Sequence, residues 1–342
     1  MLLTDSLAGK KTSQTPIWIM RQAGRYLKEY RDVRATTSDF ISFCLTPDKA
    51  CEVTLQPIRR YDFDAAIIFS DILIVPWALN RNVHFISGEG PKCDKLTPDD
   101  VSNNVIDQAL IDNFDDKITP VAEAMTKTRA GLPDKTALIG FAGAPWTLMT
   151  YMVEGGSSKD YAATRNWLWG HQKETDRLIE ILVETISKSL ISQAQAGANA
   201  LMLFDSWASA VPSHLRPWIV ERPVQAIIEN VRAAGIALPF ICFPRGISAD
   251  LPRFADAVDC QGLAIDQGVS PHFAAQSIRS DITLQGNLDP QALIYGGDVM
   301  KRAVDEIQDA FKDRAHIFNL GHGITPPTPT DNVAELVNYI RS

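Results

Sequence analysis

Pro16-Ile17-Trp18-Ile19-Met20, followed at once by Arg21-Gln22-Ala23-Gly24-Arg25, is the stretch on which the fold turns. Five apolar residues without polar alternation read as a β-strand covered on both faces. Working outward, runs of the same kind recur at 65–70 (AAIIFS), 136–142 (TALIGFA), 200–204 (ALMLF), 239–243 (PFICF), 261–265 (QGLAI), 282–286 (ITLQG) and 316–320 (HIFNL). With residues 16–20 counted as a strand, there are eight. Helix-like segments lie between them, clearest at Thr175–Ala196 and Val299–Lys312, and no Gly/Ser-rich or Pro-rich linker divides the chain. Eight βα units without a break predict an α/β chain forming one (β/α)8 TIM barrel over residues 1–342. A doubly wound open sheet is the structural alternative. The stretch Asn82–Cys93 reads as a small hairpin outside the barrel.

In a barrel of this kind the active site lies at the carboxyl ends of the strands. The residues expected there are Arg21 and Arg25, then Asp71, Gly143–Tyr151, Asp205 with Ser206, Arg245, Asp266, Asn287 with Asp289, and His322. Arg21 and Arg25 are four apart, so on a helical turn they would share a face. Gly24 between them admits a turn or a close backbone approach. A guanidinium keeps its charge and matches carboxylate or phosphate bidentately, so this pair reads as an anion clamp. Asp71 sits between two apolar runs, either as a cap or as a carboxylate held for chemistry. Burial would raise its pKa and facing arginines would lower it, favouring the ionised form. His322, between Gly321 and Gly323, has no neighbouring side chain to screen its ring.

The net charge of −8 argues against general affinity for nucleic acid or a membrane surface, which requires a basic field. Residues 1–34 run the other way, with Lys10, Lys11, Arg21, Arg25, Lys28, Arg31 and Arg34 against Asp5, Glu29 and Asp32. Lys10, Lys11 and Lys28 read equally well as a solvated basic face. No apolar leader stretch is visible in residues 1–11 and no run approaches membrane-spanning length. The five cysteines form no Cys-x-x-Cys pair, which points to a reducing cytoplasm. There is no His-Glu-x-x-His, nucleophile elbow or P-loop. Cys242 and Cys260 read as core residues, since neither has a histidine at ligand spacing.

Two long stretches are specific enough to name a family. Pro16–Arg25 with Tyr26 and Leu27, and Gly140-Phe141-Ala142-Gly143-Ala144-Pro145-Trp146-Thr147-Leu148 followed by Tyr151 and Glu154-Gly155, resemble the two signatures of the uroporphyrinogen decarboxylases. Phe69–Leu73, Leu203–Ser206, Gln285–Pro290 and Asn319–Gly323 match as well, so the resemblance covers essentially the full chain. It implies decarboxylation of the four acetate side chains of uroporphyrinogen III to methyls, giving coproporphyrinogen III, by a TIM barrel that is usually a homodimer and uses no metal or organic cofactor. Carried over, Arg21, Arg25 and the Gln22-Ala23-Gly24 backbone would hold substrate carboxylates. Asp71 would face the pyrrole N–H groups, with Arg21 as the candidate proton donor. Tyr151, Ser206 and His322 would complete the pocket between apolar walls of Phe141 and Phe204. Lys28, Trp77 and Trp207-Ala208-Ser209 depart from common family choices, but none replaces a proposed catalytic residue.

Two other classes remain to be told apart from this one. A corrinoid-linked methyltransferase of related fold would bind zinc through His-x-Cys and a later cysteine, yet Phe240 stands at that spacing before Cys242. A tetrapyrrole carrier without catalysis would need anion contacts but no counter-charge to a pyrrole cation, which leaves Asp71 unexplained.

Overall fold

A computed structural model describes residues 1–86 and 88–342. Seven strands form one curled, wholly parallel sheet. They are β1 (Ala65–Ile67), β4 (Ala137–Gly143), β5 (Ala200–Asp205), β6 (Phe240–Pro244), β7 (Gly262–Ala264), β8 (Thr283–Gln285) and β9 (His316–Ile317), hydrogen-bonded in that order. β2 (His84–Ile86) and β3 (Gly90–Lys92) make a separate antiparallel hairpin within the expected stretch 82–93, in which Ser87 lies outside the described residues.

The unbroken apolar runs have a physical reason, because both faces of the sheet are covered. Ala137 and Ile139, Ala200, Met202 and Phe204, and Ile241 and Phe243 belong to one buried cluster with Trp18, Met20 and Ile317. Their alternates Leu138, Leu201, Leu203, Phe240 and Cys242 pack in a second cluster with the helices. Alternation along each strand assigns the first set to the concave side and the second to the convex side. Helix Gln172–Gln195 contributes Leu178, Leu182, Ile186 and Leu190 to the outer layer, and helix Gly297–Phe311 contributes Met300, Val304, Ile307 and Phe311. Their spacing of three and four is that of one apolar helix face. The short helix Leu2–Leu7 sends Leu3 and Leu7 into the concave cluster, and the Thr283 hydroxyl donates to Ser6 O. This stoppers the amino ends of the strands and leaves the carboxyl ends as the open side.

The expected strand at 16–20 forms only as an isolated parallel bridge, Ile17 to Phe318. Side chains intercept the donors a ladder would use. The Ile17 amide donates to Asp64 Oδ2 (2.8 Å), that of Ile19 to Gln22 Oε1 (3.2 Å), and that of Met20 to Asn319 Oδ1 (2.9 Å). The segment is nevertheless bonded on both flanks. Phe318 N donates to Pro16 O (2.8 Å) and Trp18 N to Phe318 O (3.3 Å), while Asp64 N, beside β1, donates to Ile17 O (2.9 Å). Among the described residues no helix is long and apolar enough to cross a membrane.

Candidate active site

Residues 21–27 are turns, and the next helix begins only at Lys28, so Arg21 and Arg25 do not share a helical face as their spacing predicts. Arg21 takes the left-handed conformation (φ 63°), which reverses the chain at the end of the bridged segment. Gln22, fully buried, fixes that reversal. Its amide donates to Ile19 O (2.9 Å), and its side chain donates to Ala65 O while accepting from Ile19 N. Gly24 is required by proximity, since a Cβ there would meet Arg21 O at 2.9 Å. Arg31 donates to Arg25 O (2.7 Å) and holds the far end of the turn. The Ala23 and Gly24 amides and both guanidiniums have no acceptor among the described residues. The clamp is thus exposed, cationic and unpaired.

Asp71 follows β1 by four residues and is half-buried. Its Oδ1 accepts from Leu73 N (2.9 Å), and its other oxygen has no partner among the described residues. Desolvation pushes its pKa up to about 6, against the Leu73 amide and the Arg21 charge, which both lower it. The expected balance is therefore corrected. Burial outweighs Arg21 and the Leu73 amide, although the carboxylate is still the major form at neutral pH.

His322 follows β9, and its pKa is pushed down to about 4 by burial first, then by the charges of Arg21 and Arg245. Its ring is neutral. The flanking glycines serve close packing rather than exposure: a Cβ at Gly321 would lie 2.2 Å from Gln267 N, and one at Gly323 would lie 2.3 Å from Arg21 Cδ. Tyr151 stands on helix Pro145–Glu154, directly after β4. Burial and the negative charge of Asp71 raise its phenol pKa, while Arg21 opposes them. Phe141 and Phe204 meet edge to face at 5.6 Å on the concave side, and Ser206 opens the turn after β5. The electrostatic couplings thus bring Arg21, Asp71, Tyr151 and His322 into one neighbourhood, with Arg245 beside it.

Other rim residues are occupied structurally. Asp266 accepts from Gly246 N and Gly268 N, Asn287 donates to Asp266 O and Val269 O, and Asp289 caps the helix that starts at Pro290. Among the described residues no group of three His, Cys, Asp or Glu side chains is placed to hold a metal.

Asp205 is the residue that sequence reasoning undervalued. It is 3 % exposed, and strand alternation after Phe204 turns it outward, toward helix Pro145–Glu154. Thr147 Oγ1 donates to its Oδ1 (2.6 Å) and accepts from Trp207 N (3.2 Å), while Oδ2 is buried without a partner. Burial pushes this carboxyl up to about 7, against the Thr147 hydroxyl and the Trp207 amide. The network ties the Ser206 turn to the helix one turn below Tyr151. Thr147→Val is expected to lower unfolding stability by about 1–3 kcal/mol through the orphaned buried groups, read from urea denaturation at constant m.

The family model described as "Uroporphyrinogen decarboxylase (URO-D)" matches residues 2–342. The uroporphyrinogen decarboxylase of Maricaulis maris is 45% identical over 335 residues, covering 98% of this chain and 96% of that protein. That of Rhodospirillum rubrum is 42% identical, covering 99% and 96% respectively. Among solved structures, a methyltransferase from Methanosarcina mazei superposes with a TM-score of 0.79 at 18% identity, covering 99% of this chain and 97% of its own; this likeness is one of fold. With the family model spanning nearly every residue and relatives this similar over almost their whole length, the chain belongs to the uroporphyrinogen decarboxylase family.

Proposed function

We propose that this chain, a carboxy-lyase of tetrapyrrole biosynthesis by its family, decarboxylates the four acetate side chains of uroporphyrinogen III at the rim formed by Arg21, Asp71, Tyr151, Ser206 and His322. The observation that carries the assignment is Asp71, with one carboxylate oxygen fixed by the Leu73 amide and the other open, facing the field of Arg21. Protonation of a pyrrole ring carbon makes the ring a cation. Carbon dioxide then leaves, its bonding electrons neutralise the ring, and the acetate carbon becomes an exocyclic methylene. A second proton converts that methylene to methyl, and loss of the ring-carbon proton restores the pyrrole. A preorganised carboxylate stabilises the cation as it forms, which is the role assigned to Asp71. Arg21 and Arg25, with the free amides of Ala23 and Gly24, hold substrate carboxylates, while Phe141 and Phe204 form the apolar floor. Arg21 is the candidate donor of the first proton.

We further read residues 16–20 as the eighth stave of a (β/α)8 barrel, a reading supported by their hydrogen bonds on both flanks. On this reading residues 1–342 form one domain, acting in the cytoplasm as a homodimer, with no metal, organic cofactor, nucleic-acid or membrane partner. Anaerobic incubation with uroporphyrinogen III, followed by chromatography of the oxidised products, tests the function. Heptacarboxylic to tetracarboxylic porphyrins are expected. Binding without them would leave a carrier, and stoichiometric, tightly held zinc in the purified protein would favour a methyltransferase.

A further inference from the structure

Arg245 is the first residue after β6, and β6 is four neighbours from Pro16–Met20 in either direction. One path runs through β1, β4 and β5, the other through β9, β8 and β7. It therefore leaves the sheet on the side opposite Arg21 and Arg25. Its amide donates to Asp205 O (3.0 Å), next to Ser206, and the following Gly246 (φ 77°) hugs the same turn, since a Cβ there would lie 2.9 Å from Ser209 Cβ. Tyr161 also packs on this turn. Its ring lies 5.3 Å from that of Trp207, which is 6.3 Å from that of Tyr151. Tyr161 also takes a left-handed conformation (φ 55°) that a tyrosine rarely adopts.

Both side chains are half-buried, and among the described residues neither the Arg245 guanidinium nor the Tyr161 hydroxyl has a hydrogen-bond or ion-pair partner. The charge of Arg245 is felt by Tyr161, whose phenol burial pushes up to about 12, and by His322, which also feels Arg21. Both charges therefore act on His322. A macrocycle with carboxylates around its whole edge cannot turn its far side toward Arg21 and Arg25, so those far carboxylates need donors of their own.

We propose that Arg245 and Tyr161 form a second carboxylate-binding subsite, gripping the edge of the tetrapyrrole opposite the Arg21–Arg25 clamp. The guanidinium supplies charge and the phenol a second donor to the same group. This rests on the decarboxylase reading, whose failure would show separately, as a wild-type protein that yields no decarboxylated porphyrin. Steady-state kinetics on uroporphyrinogen III test the subsite. R245Q is expected to raise KM about tenfold with kcat within about twofold, the loss of one charge-assisted contact made equally in ground and transition states. Y161F is expected to raise KM about threefold. The double variant should lie close to R245Q alone, because both donors serve one carboxylate. R245K, which keeps the charge without the fork, should recover part of the KM and carries the comparison if glutamine lowers Tm. A wild-type KM in a stably folded R245Q, or a fall in kcat at constant KM, would overturn the subsite. Full additivity with Y161F would remove Tyr161 from it.

Discussion

Asp71→Asn is expected to lower kcat by about 10²–10³-fold while leaving the protein as stable as wild type or more so. The two halves of this result have one cause. The Asp71 carboxylate is held where burial outweighs the opposing Leu73 amide and Arg21 charge, so its charge is a burden to the resting fold and useful only against a developing cation. Its folded pKa of about 6 lies above the 3.8 of an ordinary aspartate, so the folded state binds this proton more tightly than the unfolded chain. Stability from this group is therefore fully present below about pH 4 and declines as pH rises to about 6. Asparagine removes that decline. Urea titrations should show the variant gaining on wild type between about pH 4 and 6 and keeping the advantage above, with the difference vanishing in acid. Because the ionised carboxylate is the active form, wild-type kcat/KM should fall below about pH 6, and the residual rate of the variant should lack that limb. Near-normal turnover in Asp71→Asn would remove the residue from the mechanism.

What could be read from residues alone divides along the same physical line. Seven parallel strands fall where continuous apolar runs stand, because burial on both faces leaves that mark in sequence directly. Residues 16–20 carry the same mark, yet their ladder donors go to Asp64, Gln22 and Asn319. Periodicity cannot anticipate side chains arriving from residues as remote as 319. The rim positions followed from strand order, but their roles did not. Asp266, Asn287 and Asp289 look as reactive in sequence as Asp71 and are consumed by loops and caps. Asp205 could have been separated from Ser206 by alternation, since it continues the outward series of Leu201 and Leu203 while Phe204 points inward. The glycines around His322 signalled a special loop, though the reason was the close approach of Arg21 and Gln267 rather than an unscreened ring.

Arg21→Gln is expected to reduce kcat/KM by about 30- to 10³-fold, which corresponds to about 2–4 kcal/mol for losing a charged contact to a substrate carboxylate. Its effect on pH dependence separates the roles open to this residue. Arg21 lowers the pKa of both Asp71 and His322 in the folded protein. Glutamine withdraws that field, so the acid limb assigned to Asp71 should move upward from about 6, and the His322 imidazole signal followed by NMR should titrate above its wild-type value near 4. Arg21→Lys preserves the charge and loses the fork, so both titrations should stay near their wild-type positions while KM rises. Gly323→Ala should resemble it in part. A methyl 2.3 Å from Arg21 Cδ must displace the flexible arginine without removing its charge. The lysine variant then decides whether Arg21 only holds the substrate. If Arg21 delivers the first proton, replacing the donor must alter the solvent isotope effect and the basic limb of kcat as well as KM. If both are unchanged in a folded Arg21→Lys protein, Arg21 is a carboxylate anchor whose field keeps Asp71 ionised, and the proton comes from elsewhere.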